Sequence, residues 1–147
     1  MTHRADQVID AVVSIISAAV AARVEKNRTI PFASESIEQD LPAISVRMGS
    51  DDPLIQNVSF IDSALSVNVV LIVSRETEPD VVADLMELRR ATHVALMADQ
   101  TLGKSFVSDT RYAGASAPEI DLSGKSPAGR METLWLVPYR MNIADPQ

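Results

Sequence analysis

Apolar residues recur along this chain with two distinct periods, one near 3.6 and one of two, and the switches between them mark element boundaries. Val8, Ile9, Val12, Val13, Ile16, Val20 and Val24 form a wide stripe at helical spacing, which predicts a first helix from about Ala5 to Val24. Pro31 and the polar run Ser34–Asp40 separate it from the next patterned segment. Ile44, Val46 and Met48 then alternate with Ser45 and Arg47, the pattern of a half-buried strand, and Gly49-Ser50-Asp51-Asp52-Pro53 supplies turn residues to close it. The strongest strand signal lies in "FIDSALSVNVVLIVSRE". Leu65, Val67, Val69, Leu71 and Val73 line one face there, and the other face passes from polar (Ser66, Asn68) to apolar (Val70, Ile72).

Thr77-Glu78-Pro79-Asp80 opens a second helix, with Thr77 as N-cap and Pro79 in the first turn. Val81, Leu85, Leu88, Thr92 and Leu96 give its inward stripe, with Asp84, Glu87 and Arg90 outward, and it ends near Asp99. Ser105–Ser108 has the makings of a short strand. Asp109–Arg130 shows little periodicity and reads as a long loop or arm, a length usually associated with function in compact proteins. The closing "METLWLVPYRM" alternates again: Leu134 and Leu136 face one way, Trp135, Val137, Tyr139 and Met141 the other. Pro138, with no N–H, demands an edge or a bulge beside it. Helix, strands, helix, strands predicts an α+β protein: a mostly antiparallel sheet of about four strands carrying two main helices.

Composition narrows the function classes. At 147 residues and 46% hydrophobic, the chain is expected to form one folded domain spanning 1–147. It has no cysteine, which removes disulfides, thiolate metal sites and thiol nucleophiles. A net charge of −7 argues against a broad basic face for nucleic acid. The uncharged run Ala11–Ala22 is only 12 residues long, against roughly 20 needed to span a bilayer. Asp6 and Asp10 stand where a signal peptide would be basic.

Candidate chemistry is sparse. Gly-Lys-Ser occurs at 103–105 and again at 124–126, the last letters of a phosphate-binding loop. Five positions before each Gly-Lys, where that loop needs glycine, stand Ala98 and Glu119, and neither triplet reads as the start of a helix. His3 and His93 have no partner at ligand spacing, so His93 is expected as a partly exposed helical residue beside Arg89 and Arg90. Asp51 and Asp52 read as turn acids. Glu119 and Asp121 share a strand face, with no nucleophile near them in sequence, and Arg111 with Tyr112 reads as a pair that docks a loop. No cofactor, metal or catalytic constellation is expected. An excess of apolar surface remains: two helices can blanket one face of the sheet, with a second copy of the chain as the simplest cover for the other, and the alternative is one helix on each face of a monomer.

The order of "HRADQVIDAVVSII", "PAISV", "VVLIV", "DLMELRRATHVALMAD", "DTRYAGASAPEIDLSGKSPAG" and "METLWLVPYRM" resembles the tail terminator (tail completion) proteins of long-tailed bacteriophages. The resemblance implies a non-enzymatic virion protein at the head-proximal end of the tail, made in the host bacterial cytoplasm. It would assemble as a homo-oligomeric, hexameric ring on the major tail tube protein, stop tube polymerisation and offer a surface to the head–tail connector or neck protein. DNA would pass through without specific binding, and no membrane would be involved. On this reading the arm carries the subunit or tube contacts, through Arg111, Tyr112, Glu119, Asp121, Lys125 and Arg130, while Asp51 and Asp52 are lumen-facing or turn acids. The alternatives are another neck component, such as a head-completion or connector adaptor protein, and a small enzyme or ligand-binding domain.

Overall fold

The computed structural model describes residues 2–27, 42–123 and 126–147. Pro31, Ser34–Asp40, Gly124 and Lys125 therefore lie outside the described residues. Among those described, two helices and six strands form an α+β fold: α1 (Arg4–Ala19), β1 (Arg23–Lys26), β2 (Ala43–Gln56), β3 (Phe60–Ser74), α2 (Glu78–Met97), β4 (Arg111–Ala115), β5 (Glu119–Asp121) and β6 (Ala128–Asn142). The sheet order is β1-β2-β3-β6-β4, with β5 also on the far edge of β6. Only the β1–β2 pair is parallel.

The first helix is shorter than its stripe predicts. It buries Val8, Ile9, Val12 and Ile16, but Val20 is already extended. Val20, Ala22 and Val24 all pack against the core, because residues four apart in a helical stripe are also two apart twice over in a strand. β1 thus takes the end of the predicted helix. Lys26 anchors it to α1 through Asp6 (2.6 Å) and Asp10 (2.8 Å). Asn27, with φ 50°, ends the strand, and its side chain accepts the Met48 N–H at 2.9 Å.

Gly49–Pro53 does not close β2. The strand runs on to Gln56 with register shifts at Met48/Asp51 and Pro53/Ile55, so the Gly-Ser-Asp-Asp-Pro cluster serves a bulge. The turn itself is made by Asn57, whose side-chain oxygen accepts the N–H groups of Ser59 (2.8 Å) and Phe60 (2.9 Å). The result is one long β2–β3 hairpin whose distal half stands exposed.

The second helix matches its prediction closely. Thr77 accepts the Asp80 N–H at 3.4 Å, and Val81, Leu85, Leu88, Thr92 and Leu96 are buried. Ser105–Ser108 is not a strand; only Val107 forms an isolated bridge, to Tyr139. Within the predicted arm 109–130, the described residues form β4 and β5, both paired antiparallel with the chain's own β6. Six strands replace the expected four: β1, β4 and β5 are gained because they find partners that period alone could not reveal, and the expected strand at Ser105–Ser108 is lost.

Both helices lie on one face of the sheet. Ile9, Ile16, Leu85 and Leu96 meet Ile44, Leu65, Leu71 and Trp135 in one continuous core. Each fully buried aliphatic side chain there stabilises the fold by about 1.5–3 kcal/mol relative to exposure. On the opposite face Ala43, Val70 and Ile72 form a small separate buried cluster.

Candidate interaction surfaces

Strand register assigns the outer face. Arg47 opposes Asn68, which opposes Leu134; Ser66 opposes Leu136, which opposes Arg111 on β4. Directly opposed residues of an antiparallel pair share a face, so these side chains form one surface away from the helices. Leu134 is 37% exposed, and Asn68 and Leu136 are half-buried. A shallow depression of about 380 Å³ lies beside Leu134, between Asn68 and Gly114. Arg47 makes no ion pair among the described residues, and Arg111 reaches only Asp109, at 3.8 Å between two well-exposed side chains. The surface is apolar at its centre, and its rim carries Arg47 and Arg111, the mutually paired Arg130 and Glu132, and Asp52 opposite Ala64, with Glu132 also lining the depression beside Leu134.

The arm residues named from the sequence are dispersed by the fold. Arg111 points to the outer face at the sheet edge. Tyr112 pairs with Trp135 on the helix side and sits in a ring cluster with His93 and Trp135, all centroids 5.3–5.4 Å apart. Arg89 of α2 donates to the Tyr112 hydroxyl at 2.6 Å. Tyr112 therefore docks β4 onto its own helix, and His93, a partly exposed helical residue as expected, also takes part in that packing. Arg130 is bound to Glu132 at 2.6 Å, and Glu119 lies opposite Arg130 in the β5–β6 register. Hydrogen bonds from Ser123 hold the Asp121 carboxyl below the usual carboxylate range. Asp51 accepts from Tyr139, and Asp52 accepts from the Ser50 hydroxyl at 3.3 Å. The described arm candidates do not converge on one point.

Two surfaces escaped the sequence reading. The hairpin tip exposes Leu54 (59%), Ile55 (60%) and Val58 (92%). Its only signal is the uncharged stretch Pro53–Phe60, which the misplaced turn obscured. The outward side of α2 exposes Val82 (38%) and Met86 (45%). Both fall outside the inward stripe, and that mismatch was visible in the sequence.

These surfaces are shallow, and their polar groups are largely paired. The depression of about 480 Å³ beneath the hairpin holds Arg4, Asp62 and Arg140, but these groups satisfy one another. Arg140 grips Asp62 at 2.7 and 2.9 Å and stacks on Phe60 at 3.6 Å, while Arg4 lies over Phe106 at 4.8 Å. Among the described residues no three His, Asp or Glu side chains group as metal ligands. Gly103 sits at φ 70° in the turn after α2, and no helix starts at Lys104. No helix among the described residues is long and apolar enough to cross a membrane. Compared with known proteins, the sequence matches no protein-family model and no curated protein.

Proposed function

We propose that this chain is a structural protein of a phage virion, a tail terminator that assembles as a ring on the head-proximal end of the tail tube, ends tube growth and presents a surface to the neck. One observation carries the reading: both described helices cover the same face of the sheet, and on the other face, beyond the buried Ala43, Val70 and Ile72, Leu134 is exposed and Leu136 half-buried. A protein neighbour would cover this face, and a repeated head-to-tail contact between copies closes into a ring when the rotation allows. The net charge of −7 agrees with a protein that lets a polyanion pass.

The test is electron microscopy of the purified protein, alone and with tail tubes, together with phage lacking the gene. Rings that cap tubes, with overlong tails and unattached heads in the deletion, are expected. Tails of normal length in the deletion would point instead to a head-completion or adaptor role. A strict monomer that ignores tubes and is thermally stabilised by a small ligand would overturn the proposal.

A further inference from the structure

We infer that the patch around Leu134 and Leu136 on the outer sheet face of one copy is covered by the N-terminal half of α2 from the next copy. The inference rests on the ring reading above and assigns the two surfaces that would meet.

Charge gives the first indication. The first ten residues of α2, "EPDVVADLME", hold four acids and no base. Asp84 pairs with Arg75 at 3.3 Å and Glu87 with Arg90 at 3.0 Å, but Glu78 and Asp80 make no ion pair among the described residues. At 100° per residue, Val82, Ala83 and Met86 share the outward side of the helix, with Glu78 on one flank and Asp80 and Glu87 on the other. That side is apolar at its centre and acidic at its rim. Around Leu134 and Leu136 the outer sheet face answers it with Arg47 and Arg111, while Arg130 and Glu132 on the same face pair with each other. Among the described residues, the one carboxylate that either arginine reaches is the exposed Asp109, 3.8 Å from Arg111.

Shape and topology agree with charge. A helix laid on a sheet is a standard layer solution, and among the described residues this sheet carries helices on one side only. The 380 Å³ depression beside Leu134 offers space for a flexible side chain such as Met86. The two surfaces lie on opposite sides of the molecule, so their contact is heterologous and propagates from copy to copy. Opposed rims fix the orientation and reject the like-charged alternative of sheet face on sheet face.

The experiment is sedimentation velocity on three proteins, wild type, Arg47→Glu/Arg111→Glu and Glu78→Lys/Asp80→Lys, each alone and the two variants mixed. All four positions are exposed or half-exposed, and circular dichroism establishes that each variant folds. Wild type is expected to assemble, more weakly at high salt. Each variant alone should need at least ~10-fold more protein to do so. An equimolar mixture should recover assembly, because it offers one wild-type contact and one charge-swapped contact in alternation. With no native cysteine to interfere, Leu134→Cys/Met86→Cys should give an intermolecular disulfide ladder on oxidation. If wild type and both variants assemble alike and the cysteine pair does not cross-link, the interface lies elsewhere and the ring reading survives. Variants that stay apart even when mixed would also overturn the pairing. A wild type that remains monomeric with and without tail tubes would remove both ideas together.

Discussion

Tyr139 on β6 donates a 2.5 Å hydrogen bond to the Asp51 carboxylate on β2, across the intervening strand β3. The bulge after Met48 makes this possible, because it brings Asp51 opposite Leu65, on the helix side of the sheet where the Tyr139 ring is buried. The exposed half of the long hairpin is thereby tied to the core. Tyr139→Phe keeps the ring and deletes the bond. It should cost about 1 kcal/mol in denaturant melts, with amide exchange quickened chiefly over 49–63.

The same bond sets an alkaline limit. Burial first, and the Asp51 carboxylate second, push the Tyr139 phenol above its ordinary value of 10.0. The neutral phenol belongs to the fold, so its contribution is full below pH 10 and is lost as pH rises beyond that. Wild type should therefore lose stability above pH 10 more steeply than Tyr139→Phe. Parallel curves for the two proteins would show that the phenol is not the group responsible.

Gly129 fixes how closely α2 can approach the sheet. A Cβ there would stand 2.2 Å from Val81 Cγ1 and 2.9 Å from Leu85 Cδ1. Gly129→Ala must push α2 outward or distort β6, at a cost of about 1–3 kcal/mol. Thermal unfolding measures it; an unchanged melting temperature would mean that α2 shifts without penalty.

Tyr112 should behave as the clasp of β4. Tyr112→Ala removes two ring contacts and the bond from Arg89, and should expose the chain's single tryptophan, Trp135, which is 2% accessible. A red shift of its fluorescence and faster exchange over 111–115 are expected, with α1 and β3 protected as before. Tyr112→Phe, which keeps the ring, should leave the emission close to wild type.

How far the sequence carried the fold depended on whether a local pattern had one meaning. The stripe from Val81 to Leu96 fits only a helix, and the alternation from Leu65 to Val73 fits only a strand; both stand as read. Val20 and Val24 satisfy both periods, and only the parallel pairing with β2 decides for strand. Gly49–Pro53 has turn composition, but bulges use the same residues, and Asn57 was the real turn former. The arm strands are short and rich in small residues, so their pairing rests on β6, far away in sequence. Among the candidate contacts, Arg111 falls on the outer face while Tyr112 turns inward, a separation that comes from strand alternation once β4 is known. Leu134 and Leu136 were assigned to their face correctly because β6 is long and regular. The acidic side of α2 is not legible as a surface in the sequence, because helical period separates inward from outward residues without distinguishing among the outward ones.

Asp62 and Arg140 provide the counterpart at low pH. The two hydrogen bonds from Arg140 hold the Asp62 carboxyl below its ordinary value, and the guanidinium also lies over Phe60. The charged carboxylate belongs to the fold, so its contribution is present above the unfolded value of about 4 and fades as pH falls through the lowered one. Solvent reaches this pair, since Arg140 is 53% exposed and Asp62 25%. The gain is accordingly that of a well-formed surface pair, about 0.5–1 kcal/mol. Asp62→Asn should be less stable than wild type by that amount at pH 7, and the difference should close as the solution is acidified below the usual carboxylate range. It should also shrink in salt of about 1 M. A difference that persists undiminished in acid would assign the effect to packing of Arg140 on Phe60 rather than to the charge on Asp62.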